Sequence, residues 1–535
     1  MKSKIVLLVV LTSLACHVSG GPTPEDCQDA EFHPDPDNCP KGYYRCVPDG
    51  SGGWTIEQLV CPGETVFHEE LQICDWPGDW VDDMCNGATH APTHEPTQEP
   101  TIPTEVPDGG KRIVCYYSSW AFYRNGSGKF DIPDIDPNIC THLNYGFANM
   151  DNQTWNIVAY DPWFDLAAWD VGCDGAHCHH DSYRRFNQLR QKNPKLKTLL
   201  SIGGWNSGSE QWSHMAADPA KRKIFIDSSV AFAKTFDFDG LDFDWEYPGD
   251  REGSDPEHDK EDFTVLIQEF GAALRAEGKL FTAALTPDYK RAGVGYDVPV
   301  LAQEFDFVNV MDYDYHGAWD NFTGHNTPLY GRHEEDIEGH PGHGFNLNDT
   351  INYYLSEGMP KEKINVGLAT FGHGFVLPEG SDETGLFCPA VSGNPKGPYT
   401  GTVGFWGYYE ILQALNNDTL PWLPGATPHG WTTVVDGCVL APYSYNGPYW
   451  IGYDDVDSIR LKAQWINSMN LGGAMVWSIE SDDFAGDYGN KYPIISEVKR
   501  IMNSGETLDP EYILHEDDMC ETAPSCEVPI PPYHW

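Results

Sequence analysis

Eight short apolar runs alternate with longer segments of helical composition between residues 113 and 477. Continuous apolar runs are typical of strands buried on both faces of a parallel sheet. Eight such strands with intervening helices predict a (β/α)8 TIM barrel, an α/β fold. The predicted strands span residues 113–117, 142–147, 198–203, 238–244, 281–285, 307–311, 364–369 and 473–477.

The connection between the seventh and eighth predicted strands is longer than 100 residues. One crossover helix does not need so long a segment. We therefore expect an inserted α+β subdomain at about residues 372–455, within a barrel domain that spans residues 109–506.

The first 20 residues are typical of a signal peptide. Lys2 and Lys4 precede an apolar run that is too short to span a bilayer, and small residues follow at positions 18–20. We expect a secreted, extracellular protein without a membrane partner. The formal charge of −48 argues against nucleic-acid partners, which need basic surfaces. This acidity suits either a soluble surface or cation-rich surroundings, and charge alone does not choose between them.

Residues 21–86 contain six cysteines, at positions 27, 39, 46, 61, 74 and 85. So short a segment cannot build a sufficient core, which predicts a small β module held by three disulfides. Six cysteines allow 15 pairings, which the sequence leaves open. The cysteine order and interleaved aromatic residues resemble a peritrophin-A type chitin-binding domain, although a disulfide knot with another partner is the alternative.

Two segments of low complexity flank the barrel domain. Residues 87–108 repeat Pro, Thr and Glu, which predicts an extended tether. Residues 507–535 are acidic and contain Cys520 and Cys526, for which we expect a poorly structured tail with a local disulfide.

The fourth predicted strand carries an unusual file of carboxyl groups. Residues two apart in a strand face the same side, so Asp242, Asp244 and Glu246 point into the barrel. Carboxyl groups this close cannot all ionise easily, and at least one pKa must rise. A carboxylic acid that stays protonated near neutral pH can act as a general acid. An acidic strand on a solvated face and a calcium site are the alternatives.

The run from Asp239 to Glu246, Asp-x-x-Asp-x-Asp-x-Glu, resembles the signature of glycoside hydrolase family 18, the chitinases. Segments at the ends of other predicted strands fit the same family in the same order. They are Ser-Ile-Gly-Gly-Trp at 201–205, Met-Asp-Tyr-Asp at 311–314 and Ala-Met-Val-Trp at 474–477.

This resemblance implies a secreted chitinase that cleaves β-1,4 bonds between N-acetylglucosamine units by substrate-assisted, retaining catalysis. Glu246 would be the acid and base, with Asp244, Asp242 and Tyr313 as catalytic partners and Asp239 as structural support. The substrate-binding residues implied are Tyr116, Trp120, Trp205, Met311, Asp314, Trp319 and Trp477. The partners expected are chitin and chitooligosaccharides, bound by a monomer without cofactor or metal.

Similarity also implies the disulfides Cys115–Cys140 and Cys388–Cys438. The sequence departs from the family after strand seven, where Phe371-Gly372-His373 replaces the common Tyr-Gly-Arg. Loss of a hydroxyl and of a permanent cation puts affinity near the cleavage site in doubt.

Three further alternatives stay open. A chitinase-like lectin would bind chitin without cutting it, although such proteins usually replace the catalytic Glu. A matrix protein would organise mineral or cuticle through chitin binding and acidity. The Cys- and His-rich segment 173–180 predicts a short disulfide loop, with a metal site as the alternative.

Overall fold

The structure is a computed structural model of the chain. We describe residues 110–166, 180–332, 340, 342–416, 420–509 and 524–526, and the backbone of five strands between residues 32 and 75. The chain divides into two compact units, Met1–Glu99 and Pro100–Trp535, which we describe separately. The predicted signal peptide, tether and 173–179 loop, with most of the predicted tail, lie outside the described residues.

The first unit contains two small antiparallel sheets, as expected for a β module. One sheet has three strands and the other has two. Their strands are Phe32–Pro34, Gly42–Pro48 and Trp54–Val60 in the first sheet, and Val66–His68 and Ile73–Asp75 in the second.

The second unit is built on a closed barrel of eight parallel strands, which confirms the predicted fold class. Each strand pairs with the next one along the chain, and the eighth pairs with the first, so that no edge is left open. We number them β1 Arg112–Ser118, β2 His142–Met150, β3 Lys197–Gly203, β4 Gly240–Asp244, β5 Leu280–Leu285, β6 Phe307–Val310, β7 Ile364–Ala369 and β8 Gly473–Trp477.

Helices connect the strands, and several begin at an acidic cap. The Asp218 carboxylate accepts from the amides of Ala220 and Lys221, and Asp455 forms a capping box with Ser458. The helices are Pro162–Asp165, Ser182–Asn187, Glu210–Ala216, Pro219–Thr235, Asp259–Ala276, Tyr289–Gly295, Val298–Glu304, Leu347–Ser356, Tyr408–Asn416, Val456–Ser468 and Pro493–Ser504.

The two faces of the barrel strands differ in polarity. On β4, Leu241 and Phe243 point outwards, and the Phe243 ring lies 5.4 Å from Trp212 and 6.1 Å from Phe263 on the surrounding helices. The inward-facing positions include polar side chains at full burial, such as Asp242 of β4 and Ser201 of β3, beside apolar ones such as Val114 and Met475. Apolar packing between strands and helices therefore stabilises the barrel, while its interior holds both apolar and polar groups.

The insertion between β7 and β8 is a second, antiparallel sheet with one helix, in agreement with the predicted α+β subdomain. It runs from Phe371 to Gly452. Its strands are Phe371–Val376, Ser392–Gly393, Phe405–Gly407, Thr432–Asp436, Ala441–Asn446 and Tyr449–Gly452.

The two disulfides that similarity implied for this unit have different outcomes. Cys115–Cys140 forms as expected, joining β1 to the segment before β2. The expected Cys388–Cys438 bridge is wrong, because Cys388 pairs with Cys526 across 138 residues. The local tail disulfide expected for Cys526 is therefore wrong as well. Spacing gave no hint of this pairing, which arises because residues 524–526 lie beside the insertion.

Residues 524–526 form a short parallel bridge with the insertion. The Leu386 amide donates to the Pro524 carbonyl at 3.0 Å, and the Cys526 amide donates to the Leu386 carbonyl at 2.8 Å. In the described ranges, no helix has both the length and the apolar character required to cross a membrane.

Candidate active site

Strand β4 and the two residues after it place three carboxyl groups along the barrel axis. Asp242 and Asp244 are inside the barrel at 0% and 3% exposure, and Glu246 lies beyond the strand end at 9%. Asp239 is at the opposite end of the strand, where it forms ion pairs with Arg190 and Lys197, both at 3.1 Å. The carboxyl file therefore rises from an ion-paired base to the carboxyl-terminal mouth of the barrel.

Asp242 is surrounded by hydrogen-bond donors. Its Oδ2 accepts from the hydroxyls of Tyr116 at 2.7 Å and Ser201 at 2.8 Å. Its Oδ1 accepts from the Thr282 hydroxyl at 2.6 Å and the Asn309 amide at 3.4 Å. Burial raises the pKa of Asp242, and these four hydrogen bonds oppose that rise because they favour the ionised form.

Asp244 has the opposite environment, although it is only two residues away. None of the described residues donates a hydrogen bond to its buried Oδ1. Burial, followed by the charges of Glu246 and Asp242, raises the pKa of Asp244 well above its ordinary value. Hydrogen-bond donors therefore favour the ionised form of Asp242, whereas the described residues give Oδ1 of Asp244 no such support.

Glu246 is poised to exchange a proton near neutral pH. Burial raises its pKa to about 7, and the nearby charge of Asp314 adds to the rise. A hydrogen bond from Tyr247 and the charges of Arg251 and Arg291 act in the opposite direction. A carboxylic acid with this pKa is suited to general acid and base catalysis.

The segment after β6 brings further groups to the mouth. Met311 and Tyr313 are buried, and the Tyr313 hydroxyl lies 3.7 Å from the sulfur of Met475. The Asp314 carboxylate lies 2.7 Å from Nε2 of His373, whose Nδ1 lies 3.0 Å from a backbone carbonyl. His373, which departs from the family pattern, thus contacts a carboxylate whose charge raises the pKa of Glu246.

Aromatic rings form a floor beside the carboxyl file. Trp477 at the end of β8 lies 5.4 Å from Tyr116, 6.2 Å from Trp120 and 5.9 Å from Phe147 between ring centroids. Phe147 also stacks on Trp120 at 6.1 Å. Such flat apolar surfaces bind the apolar faces of sugar rings.

Two exposed tryptophans extend this surface along the rim. Trp205 is 58% exposed, with the Arg251 guanidinium 3.8 Å from its ring centre. Trp319 is 61% exposed and packs edge-on against His373 at 5.0 Å. Arg251 also donates to the Glu246 carbonyl at 2.8 Å, so this side chain links the rim to the backbone that follows β4.

The structure brings all of the predicted site residues to the mouth or the interior of the barrel, except Asp239 at the base. Sequence reasoning missed Phe147, Arg251 and the donors Thr282 and Asn309. The position of Phe147 at the end of a predicted strand was a usable signal for a groove residue. Arg251, in a loop, carried none. Within the described ranges, no group of three or more His, Cys, Asp or Glu side chains is arranged to hold a metal ion.

A TIM barrel with a carboxyl file at its carboxyl-terminal mouth and an aromatic groove belongs to the class of polysaccharide-processing proteins. Residues 112–482 match the model of glycosyl hydrolases family 18, and the chain belongs to that family. Residues 26–85 match the chitin-binding Peritrophin-A domain.

Individual relatives agree with this assignment. The chain is 32% identical over 528 residues to Probable chitinase 10 of Drosophila melanogaster, covering 94% of this chain but only 21% of that protein. The Group IV chitinase of Ostrinia furnacalis, solved with allosamidin, is 37% identical with a TM-score of 0.67, covering 74% of this chain and all of that one. Human YKL-39, described as a pseudo-chitinase with retained chitooligosaccharide binding, is 34% identical with a TM-score of 0.64, covering 74% and 100%.

Proposed function

We propose that this protein is a secreted chitinase that hydrolyses β-1,4 bonds between N-acetylglucosamine units, with retention of anomeric configuration. The observation that carries the proposal is Glu246, a carboxylic acid at the barrel mouth with a pKa of about 7. Such a group is partly protonated at neutral pH and can donate to a glycosidic oxygen.

The second carboxylate of an ordinary retaining glycosidase has a substitute here. Family 18 enzymes use the 2-acetamido oxygen of the substrate as the nucleophile, which forms an oxazolinium ion. Asp244 is the group to hold the acetamido N–H, because its buried Oδ1 accepts no hydrogen bond from the described residues. The Tyr313 hydroxyl would donate to the acetamido carbonyl, and Trp477 would lie under the sugar ring.

Proton transfer completes the proposed cycle. Glu246 protonates the leaving oxygen, and as a carboxylate it then removes a proton from the water that opens the oxazolinium ion. Asp242 accepts a share of the Asp244 proton while Asp244 supports the positive charge on the sugar. Trp120, Trp205, Met311, Asp314 and Trp319 would bind neighbouring sugars.

The first test follows products from a soluble N-acetylglucosamine hexamer by NMR. We expect β-anomeric products from the unaltered chain and a rate about 10²–10⁴ times lower for Glu246→Gln, because the acid is lost. Binding of the hexamer should persist in that variant. Binding without cleavage by the unaltered chain would contradict the proposal and favour the lectin function, which the similarity to YKL-39 keeps open.

The second test concerns the N-terminal module, which we propose delivers the barrel to solid chitin. A tethered binding module raises the effective concentration of the enzyme at an insoluble surface. Deletion of residues 21–107 should lower the rate on chitin particles about 10- to 100-fold. The rate on the hexamer should stay unchanged. Equal losses on both substrates would show that the module supports the barrel itself.

A further inference from the structure

A chain of polar side chains crosses the barrel interior from its base to the carboxyl file. Arg112 begins β1 at the base, and Asn365 and Asn309 lie on β7 and β6. Both asparagines are fully buried, and Arg112 is 9% exposed. Asp242 is the last member of the chain.

The hydrogen bonds of this chain are continuous. The Arg112 Nε–H donates to Asn365 Oδ1 at 3.0 Å, and Asn365 Nδ2 donates to Asn309 Oδ1 at 3.0 Å. Asn309 Nδ2 then donates to the Tyr116 hydroxyl oxygen at 3.3 Å and to Asp242 Oδ1 at 3.4 Å. The two N–H groups of the Asn309 amide thus have two acceptors. Tyr116, which accepts one of them, in turn donates its hydroxyl proton to Asp242.

The direction of every bond follows from the arginine. A guanidinium only donates hydrogen bonds, so it requires the amide oxygen of Asn365 to face it. The amide nitrogen of Asn365 must then face Asn309 and accept no proton from it. The same rule turns the nitrogen of Asn309 towards Tyr116 and Asp242. A fixed charge at the base of the barrel therefore sets which end of each buried amide faces the carboxyl file.

We propose that Asn365 and Asn309 are positioning residues. Arg112 fixes the orientation of their amide groups, so that an N–H of Asn309 faces Asp242, which keeps Asp242 ionised and the shared proton on Asp244. The proposal rests on the proposed function, because it assigns the resting position of the proton that the reaction uses. Arg112, Asn309 and Asn365 would act through Asp242, since none of them lies in the groove.

The other groups around Asp242 agree with this direction. Tyr116 from β1 and Asp244 from the same strand are the titratable groups that face it, and Tyr116 donates to it. Ser201 from β3 and Thr282 from β5 are neutral donors. With Asn309 turned the other way, an amide oxygen would face the carboxylate, and the environment would no longer favour the anion.

The test replaces Asn365, in the middle of this hydrogen-bonded relay from Arg112 to Asp242, with each of two residues of similar size. In Asn365→Leu the relay is interrupted. In Asn365→Asp it is reversed, because an ionised carboxylate only accepts and draws the amide nitrogen of Asn309 towards itself. Hydrolysis of the soluble hexamer is measured from pH 3 to pH 9, and kcat/KM is plotted against pH.

The expected readout is the acidic limb of this profile. A weaker set of donors lets Asp242 take up a proton at higher pH, and Asp242 can then no longer share the Asp244 proton. The acidic limb should move to higher pH by about half to one unit in Asn365→Asp, and by less in Asn365→Leu. The alkaline limb, which reports Glu246, should move less than the acidic limb in both variants.

A pair of variants at the base decides the matter if position 365 tolerates no change. In Arg112→Gln the new side chain can present either end of its amide, so the orientation of the Asn365 amide is no longer fixed. In Arg112→Lys the new side chain again only donates. The acidic limb should shift in the first and return towards the original position in the second. Arg222→Gln, which removes another largely buried arginine bonded to Glu269, controls for lost stability.

Each outcome is decisive for one of the two proposals. If the acidic limb does not move in folded Asn365→Asp and Arg112→Gln proteins, and kcat falls equally at every pH, the relay is overturned. Asn365 and Arg112 would then have a structural role only. Failure of the unaltered chain to cleave the hexamer would instead overturn the proposed function, and the catalytic role of the relay with it.

Discussion

The barrel interior around Asp242 and the rim of the groove are built in different ways. In the interior, side chains from four different barrel strands donate to one buried carboxylate, and their positions follow from the register of the strands. At the rim, Trp205 and Trp319 are more than half exposed and depend on loops for their positions.

The supports of the rim come from distant parts of the chain. The Trp319 loop pairs with the insertion, since Thr323 donates to the Cys388 carbonyl at 2.9 Å and Phe387 donates to the Thr323 carbonyl at 2.7 Å. Cys388 is in turn bonded to Cys526. The surroundings of Asp242 are therefore fixed by the sheet, whereas the exposed aromatic rim is held by loops that contact one another.

Asp314 lies at the boundary between these two regions. Its removal should change activity more than removal of the Cys388–Cys526 disulfide. Its charge contributes to the raised pKa of Glu246, so Asp314→Asn should lower that pKa. Glu246 must be protonated to act as an acid, and the alkaline limb of kcat/KM should therefore move from about pH 7 to lower pH. The loss of the contact with His373 should also lower kcat/KM at its optimum, by about tenfold.

A pH profile on the soluble hexamer measures both effects. Asp320→Asn is the matched control, because Asp320 is an acidic residue of the same loop that lies beside His316. Its charge is absent from the main causes of the Glu246 shift. An alkaline limb that moved equally in both variants would mean that the loop, and not the Asp314 charge, tunes Glu246.

The rim itself is tested by removing its disulfide, for which we expect the smallest effect on activity. In the double variant Cys388→Ala and Cys526→Ala, the Trp319 loop loses an indirect support. KM for the hexamer should rise a few-fold with little change in kcat. The free energy of unfolding should fall by about 2–4 kcal/mol, because the long loop is no longer closed in the unfolded chain.

The matched control removes a second disulfide, Cys115–Cys140, which joins buried parts of β1 and the segment before β2. Calorimetry should record a loss of stability there too, without a change in KM. A raised KM in both double variants would show that general loosening, and not the support of Trp319, is responsible.

Several features of the barrel followed from the sequence because they depend on local pattern. Apolar runs predicted all eight strands, and strict alternation placed Asp242 and Asp244 on the inner face of β4. The start of β4 was less well predicted, since the strand begins at Gly240 and not at residue 238. Strand ends depend on hydrogen bonds to neighbours, which a single run of residues does not specify.

The sequence by itself determined the fold class, an insertion between β7 and β8, and the spacing of the carboxyl groups on β4, because periodicity and motif spacing are properties of the chain. Only the tertiary structure decided which carboxyl is surrounded by hydrogen-bond donors, since those donors come from strands far apart in sequence. It also decided the Cys388–Cys526 pairing and the contact of His373 with Asp314. These are distances between segments that approach one another only after the barrel has closed.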